Sequence, residues 1–221
     1  PNERTNEHQP DSMTTSTGAH MAKSPTSHCV INLVPPREFW APLQQHRTLN
    51  VREARCGPHI SFIDPFVTLE HYDQVAELLQ AELSQMEPFT VTLQKFNCFV
   101  HKNSCTLYLE PSTDPSGAIQ HLLDRIMKII PQCNDQQRKS SNNVFVPHFT
   151  IAKLKNQTKA LEMKKQMEKD WKPITFQLKE IYLLHRQNVD PFVVKHVIHL
   201  GQNPTRPYFG SGSADPESTV A

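Results

Sequence analysis

The chain has 221 residues, 37% of them hydrophobic, with a formal net charge of +1, which is too balanced to point to nucleic acid, membrane or acidic partners. That length suits one domain with tails or two small lobes. Five cysteines, Cys29, Cys56, Cys98, Cys105 and Cys133, include no CxxC pair, so a disulfide framework or structural zinc is not expected.

No apolar run is long enough to span a membrane, and no signal-peptide core is seen. An intracellular protein, cytoplasmic or nuclear, is therefore expected. Residues 1–25 and 203–221 are polar and rich in Pro, Ser, Thr and Gly, and read as disordered tails around a domain spanning 28–200.

In chain order, Cys29–Val34 reads as a strand stopped by Pro35-Pro36. Pro36 opens a helix running to about Thr48. A strand-like stretch, Pro58-His59-Ile60-Ser61-Phe62, closes at Asp64-Pro65. A helix over Glu70–Gln85 carries Val75, Leu78, Leu79 and Leu83 at helical spacing. Phe89–Leu93 alternates as a strand. Cys98–Val100 and Thr106–Leu109 flank a polar His101-Lys102-Asn103-Ser104 turn, a hairpin ended by Pro111.

A third helix over Pro115–Ile130 bears an apolar stripe, and Cys133–Asn143 reads as a loop. The stretch Pro147-His148-Phe149-Thr150-Ile151 lies in a strand over Val144–Leu154. Gln157–Trp171 is predicted as a helix within a lysine-rich run, Lys153 to Lys172, that reads mainly as a solvated face. Two strands, Ile174–Leu184 and Phe192–Leu200, close the domain. Each half thus has a His strand, a helix and two strands. Antiparallel sheets with helices packed outside are expected, an α+β class.

The two His stretches share one pattern: Pro, His, apolar, hydroxyl, apolar. In a strand, residues i and i+2 share a face. His59 and Ser61 would face one way, His148 and Thr150 likewise, with the intervening apolar residues turned to a core. A third match, His46-Arg47-Thr48-Leu49, lacks the preceding Pro and the apolar middle residue and ends a predicted helix, so it is set aside. A lone His beside a strand is ordinarily a core residue; a matched pair in matched contexts is not so easily explained.

On these tetrapeptides, His59-Ile60-Ser61-Phe62 and His148-Phe149-Thr150-Ile151, the sequence resembles the 2H phosphoesterases, in particular their 2′-5′ RNA ligase-like and cyclic phosphodiesterase branch. The resemblance spans about residues 28–200. It implies a two-lobed, pseudo-symmetric fold whose sheets line a central groove. It also implies a phosphodiesterase acting on RNA ends or small nucleotides with 2′,3′-cyclic or 2′-5′ linkages; a monomer is expected.

Such chemistry needs one group to take a proton and one to give it, and His59 and His148 suit both tasks. Ser61 and Thr150 would bind the phosphate oxygens. No cofactor or metal is required; His196 and His199, three apart on a strand, would face opposite sides. Nucleotide binding also calls for an aromatic and positive charge. Candidates are Tyr182 and His185, with Phe66, Tyr108, Arg186, His101 and Lys102. Tyr182 and His185 fall on opposite faces of a regular strand. A non-catalytic RNA-binding module using the same groove is the competing reading. Which His is acid, and which phosphate is formed, stay open.

Overall fold

A computed structural model describes residues 25–47, 57–138 and 144–201. The predicted tails apart from Pro25, the helix end at Thr48, Cys56 and residues 139–143 lie outside them. Among the described residues eight strands form one antiparallel sheet: β1 Cys29–Leu33, β2 Ile60–Ile63, β3 Phe89–His101, β4 Ser104–Asp114, β5 Phe149–Leu154, β6 Ile174–Leu178, β7 Glu180–His185 and β8 Val193–His199. The helices are α1 Trp40–Gln45, α2 Tyr72–Leu83, α3 Ala118–Ile129, α4 Asp135–Arg138 and α5 Gln157–Asp170. The α+β antiparallel architecture follows the sequence pattern, with the two expected sheets joined edge to edge.

The strand order is β6-β3-β4-β5-β2-β1-β7-β8. Three strands lie beyond β2 on one side and three beyond β5 on the other, so the His strands are the two central ones. Their connections interleave. The β3–β4 hairpin that follows β2 in sequence pairs with β5, whereas β7 and β8, which follow β5, join the β1–β2 side.

The predicted strand Ile174–Leu184 is therefore two strands. β6 pairs with β3 at one end of the sheet, and β7 pairs with β1 and β8 near the other. In a flat sheet β6 and β7 would stand six strand spacings apart, roughly 29 Å. Only Lys179 joins them, and one residue spans at most about 7 Å. The sheet must curl until its two ends nearly meet.

One face of the sheet is the core. Ile31, Leu33, Phe62, Phe96, Leu107, Ile151, Ile181 and Leu183 are buried there, with Val75, Leu79 and Leu83 of α2 and Ile119, Leu122 and Ile126 of α3 in the same cluster. Leu78, expected on the apolar stripe of α2, is 43% exposed, because the helix turns that edge to solvent. α5 buries Ala160 and rests Met163 and Met167 on the core, which leaves its lysines outside.

Pro111 does not end its hairpin. It pairs with Leu93 and β4 continues to Asp114. The register shifts between Leu93 and Lys95, so Gln94 is an extra residue opposite the prolyl step, which has no N–H to give the ladder. Trp171 closes the same bulge by donating from Nε1 to the Leu93 carbonyl at 3.0 Å.

Candidate active site

β2 and β5 meet through a single residue pair, Ile60 opposite Phe149. Both side chains face the core, 2% and 0% exposed, and burying each contributes about 1.5–3 kcal/mol to holding the junction. Period-two alternation then puts His59, Ser61, His148 and Thr150 together on the opposite face. Carrying the antiparallel register one step either way sets His59 opposite Thr150 and Ser61 opposite His148. Each imidazole stands across from the other stretch's hydroxyl, and all four residues are half-buried.

Pro58 and Pro147 explain why each His sits at the mouth of its strand. Proline cannot donate to a ladder, so strand pairing begins only after it. The chain then folds back in the same way twice. His59 Nδ1 donates to the Gly57 carbonyl at 2.8 Å, and His148 Nδ1 donates to the Val146 carbonyl at 3.0 Å. A carbonyl can only accept, so both rings carry a proton on Nδ1 and both leave Nε2 to take or give the second one. The hydroxyls of Ser61 and Thr150 have no hydrogen-bond partner among the described residues, and stay available to an anion.

Burial pushes both imidazoles below the usual histidine value. His59 falls to about 4, chiefly by desolvation, opposed by its bond to Gly57 and helped by the positive charge of Arg47 and the proximity of His148. His148 is lowered by desolvation first, opposed by its bond to Val146 and helped by Lys153. A negative charge placed among these groups would raise both values.

Arg47 also reaches this cluster, and the sequence pattern did not mark it, although it lies inside the set-aside match His46-Arg47-Thr48-Leu49. Its Nε donates to the Thr150 carbonyl at 3.3 Å, and its Nη1 to the Gln44 side chain at 3.0 Å. It enters the seam where β2 and β5 part beyond their one rung. His46, its neighbour, packs instead edge-on against Trp171 at 5.3 Å.

Replacing Arg47 by Gln should raise the His59 pKa, with burial still holding it under 6.5; an imidazole NMR titration without upward movement would refute this electrostatic role. The linked stability has a definite sign. The folded state favours neutral His59, so its stabilisation is complete above about 6.5 and is lost as pH falls toward 4. Melting temperature across that window reads it directly.

The other candidates separate. Tyr108 stands beside Thr150 in the β4–β5 register, and its ring lies 5.5 Å from that of His148. Phe99, not singled out from sequence, stacks on Tyr108 at 4.2 Å and meets His148 at 5.0 Å. Tyr182 pairs with Asn32, the residue opposite Ser61, so it shares the groove face two strands from the pair. Its hydroxyl donates to Glu180, whose carboxylate also meets His199 at 3.2 Å.

His185 lies opposite Cys29 on the other face of β7, and the structure does not bring it to the cluster. Phe66 is fully buried in the core against Tyr72. Arg186 covers the Phe192 ring, and His101 and Lys102 are exposed at the hairpin tip. His196, on the core face, is held by Asp73 at 3.0 Å. Among the described residues no three His, Cys, Asp or Glu side chains gather closely enough to hold a metal ion. Two cavities of about 360 and 400 Å³ border α3, away from the His pair.

A curled antiparallel sheet with helices outside it and a paired His-hydroxyl cluster at its centre is the fold of the 2H phosphoesterases. Residues 35–190 match the model of the 2′-5′ RNA ligase superfamily, and the chain belongs to that superfamily. The crystal structure of TT0787 of Thermus thermophilus has the same fold: TM-score 0.53, 15% sequence identity, covering 79% of this chain and 99% of that one. No curated protein matches the chain in sequence. Membership supports a phosphoesterase or 2′-5′ RNA ligase-like activity in general terms, with RNA or nucleotides as the substrate class. Among the described residues no helix is long and apolar enough to cross a membrane.

Proposed function

We propose that the protein is a metal-independent phosphodiesterase. It opens 2′,3′-cyclic phosphates, or cleaves 2′-5′ linkages, in nucleotide or RNA substrates by two-histidine general acid–base catalysis. The observation that carries this reading is the junction of β2 and β5. It sets two imidazoles, fixed alike through Nδ1, across from two unpartnered hydroxyls on one open sheet face.

Neutral Nε2 on one ring removes the proton of the attacking oxygen. Protonated Nε2 on the other gives a proton to the oxygen that leaves. Ser61 and Thr150 donate to the non-bridging oxygens, where negative charge grows in the transition state. The imidazoles perform both proton transfers themselves, so the reaction needs no metal ion. Binding alone requires neither two imidazoles nor their matched tautomers.

Hydrolysis of 2′,3′-cyclic mononucleotides and of short 2′-5′ oligonucleotides, followed by chromatography with excess chelator present, tests the proposal. Turnover of at least one class is expected, at a rate unchanged by the chelator. Salt-sensitive binding of RNA with no turnover of either class would instead indicate a binding module.

A further inference from the structure

The two arms of the groove are alike in strand order and unlike in chemistry. Next to Thr150 stands Tyr108, stacked with Phe99 of the neighbouring strand. Next to Ser61 stands Asn32, and next to that Tyr182, whose hydroxyl is already given to Glu180. Among the described residues only the His148 arm carries an aromatic pair in contact with a motif imidazole.

The ring separations locate the open surface of that pair. His148 is 5.0 Å from Phe99 and 5.5 Å from Tyr108, nearly equal, while Phe99 and Tyr108 are 4.2 Å apart and tilted by only 24°. A ring lying on the outer face of Phe99 would be far more distant from Tyr108 than from Phe99. His148 therefore stands beside the stack. Tyr108 is 3% exposed, so its outer face is closed, whereas Phe99 is half-buried and keeps accessible surface. Lys153 lies close enough to His148 for its positive charge to act on that imidazole.

We propose that the outer face of Phe99 is a nucleobase platform, and that it seats the nucleoside on the His148 side of the phosphate. This rests on the phosphodiesterase reading and deepens it by fixing the direction in which the substrate lies. With the ribose on that side, the ribose oxygen that leaves phosphorus faces His148 and the attacking water faces His59. The water oxygen forms its bond to phosphorus as its proton passes to His59 Nε2. The phosphorus–ribose oxygen bond breaks, and that oxygen takes the proton from His148 Nε2. His59 ends protonated and His148 neutral, and exchange with solvent resets both.

The platform is tested without turnover by calorimetric binding of adenosine 2′-phosphate and of 1-O-methylribose 2-phosphate, which lacks the base. The protein should bind the nucleotide about tenfold or more tightly than the base-free ligand, the scale of one base–aromatic stack. Phe99→Ala should collapse that gap and Phe99→Trp preserve it. A gap that survives Phe99→Ala, or wild-type protein that does not distinguish the ligands, overturns the platform. Selective binding without hydrolysis would sink the phosphodiesterase reading while leaving the platform standing.

The orientation has its own readout. In a cyclic substrate with sulfur in place of the leaving ribose oxygen, departure needs no proton. His148→Ala should recover at least about tenfold on it relative to the oxygen substrate, and His59→Ala should not. Rescue of His59→Ala alone, or of both variants equally, overturns the assignment.

Discussion

Alanine at His59 or at His148 lowers kcat/KM on a 2′,3′-cyclic nucleotide by at least about a hundredfold, the lower end of what a positioned acid or base contributes. A hundredfold is about 2.7 kcal/mol of transition-state stabilisation. Neither change should unfold the protein. Both rings lie half-buried on the groove face, whereas the rung that joins the two central strands is made by Ile60 and Phe149 on the opposite face. The ring bonds to Gly57 and Val146 are local, two residues away in each case. The two histidines serve one reaction coordinate, so the double variant should fall little further than the worse single one. His121, exposed on α3, is the control, and His121→Ala should keep the full rate. Normal folding with full turnover in either motif variant would remove the mechanism.

The centre of this site was legible because it depends on the shortest period in protein structure. Alternation in two strands is enough to put His59 with Ser61 and His148 with Thr150, and the prolines before them mark where each ladder starts. Which strands would meet was not legible in the same way. The β3–β4 hairpin follows β2 and pairs with β5, and no local pattern in Phe89–Asp114 encodes a distant partner. Ile174–Leu184 read as one strand for the same reason. It is continuous in apolar content, but Lys179 marks the point where the chain leaves one end of the sheet for the other.

The missed groups share a cause. Arg47 acts through a seam that exists only because β2 and β5 separate after one rung. The role proposed for Phe99 arises only when Tyr108 comes beneath it and His148 beside it. In sequence, Phe99 is one more apolar residue of a hairpin. Tyr182 and His185 could be separated by strand phase alone, and the structure places them on opposite faces of β7 as that phase requires.

The hydroxyls carry the second large effect. Thr150→Val keeps the shape of the side chain and removes its donor, and should reduce kcat by about a hundredfold, as loss of one preorganised donor to a developing oxyanion does. Ser61→Ala should cost on the same scale. The loss should appear in kcat more than in KM, because the non-bridging oxygens gain negative charge only as the transition state forms. Thr150→Ser and Ser61→Thr keep the donor and should stay within about tenfold of the parent. That contrast excludes a packing explanation: Val matches the volume of Thr and fails, whereas Ser changes the volume and works. If Thr150→Val turns over like the parent, the hydroxyl does not touch the phosphate. The arrangement that sets His59 across from Thr150 would then serve the sheet and not the reaction.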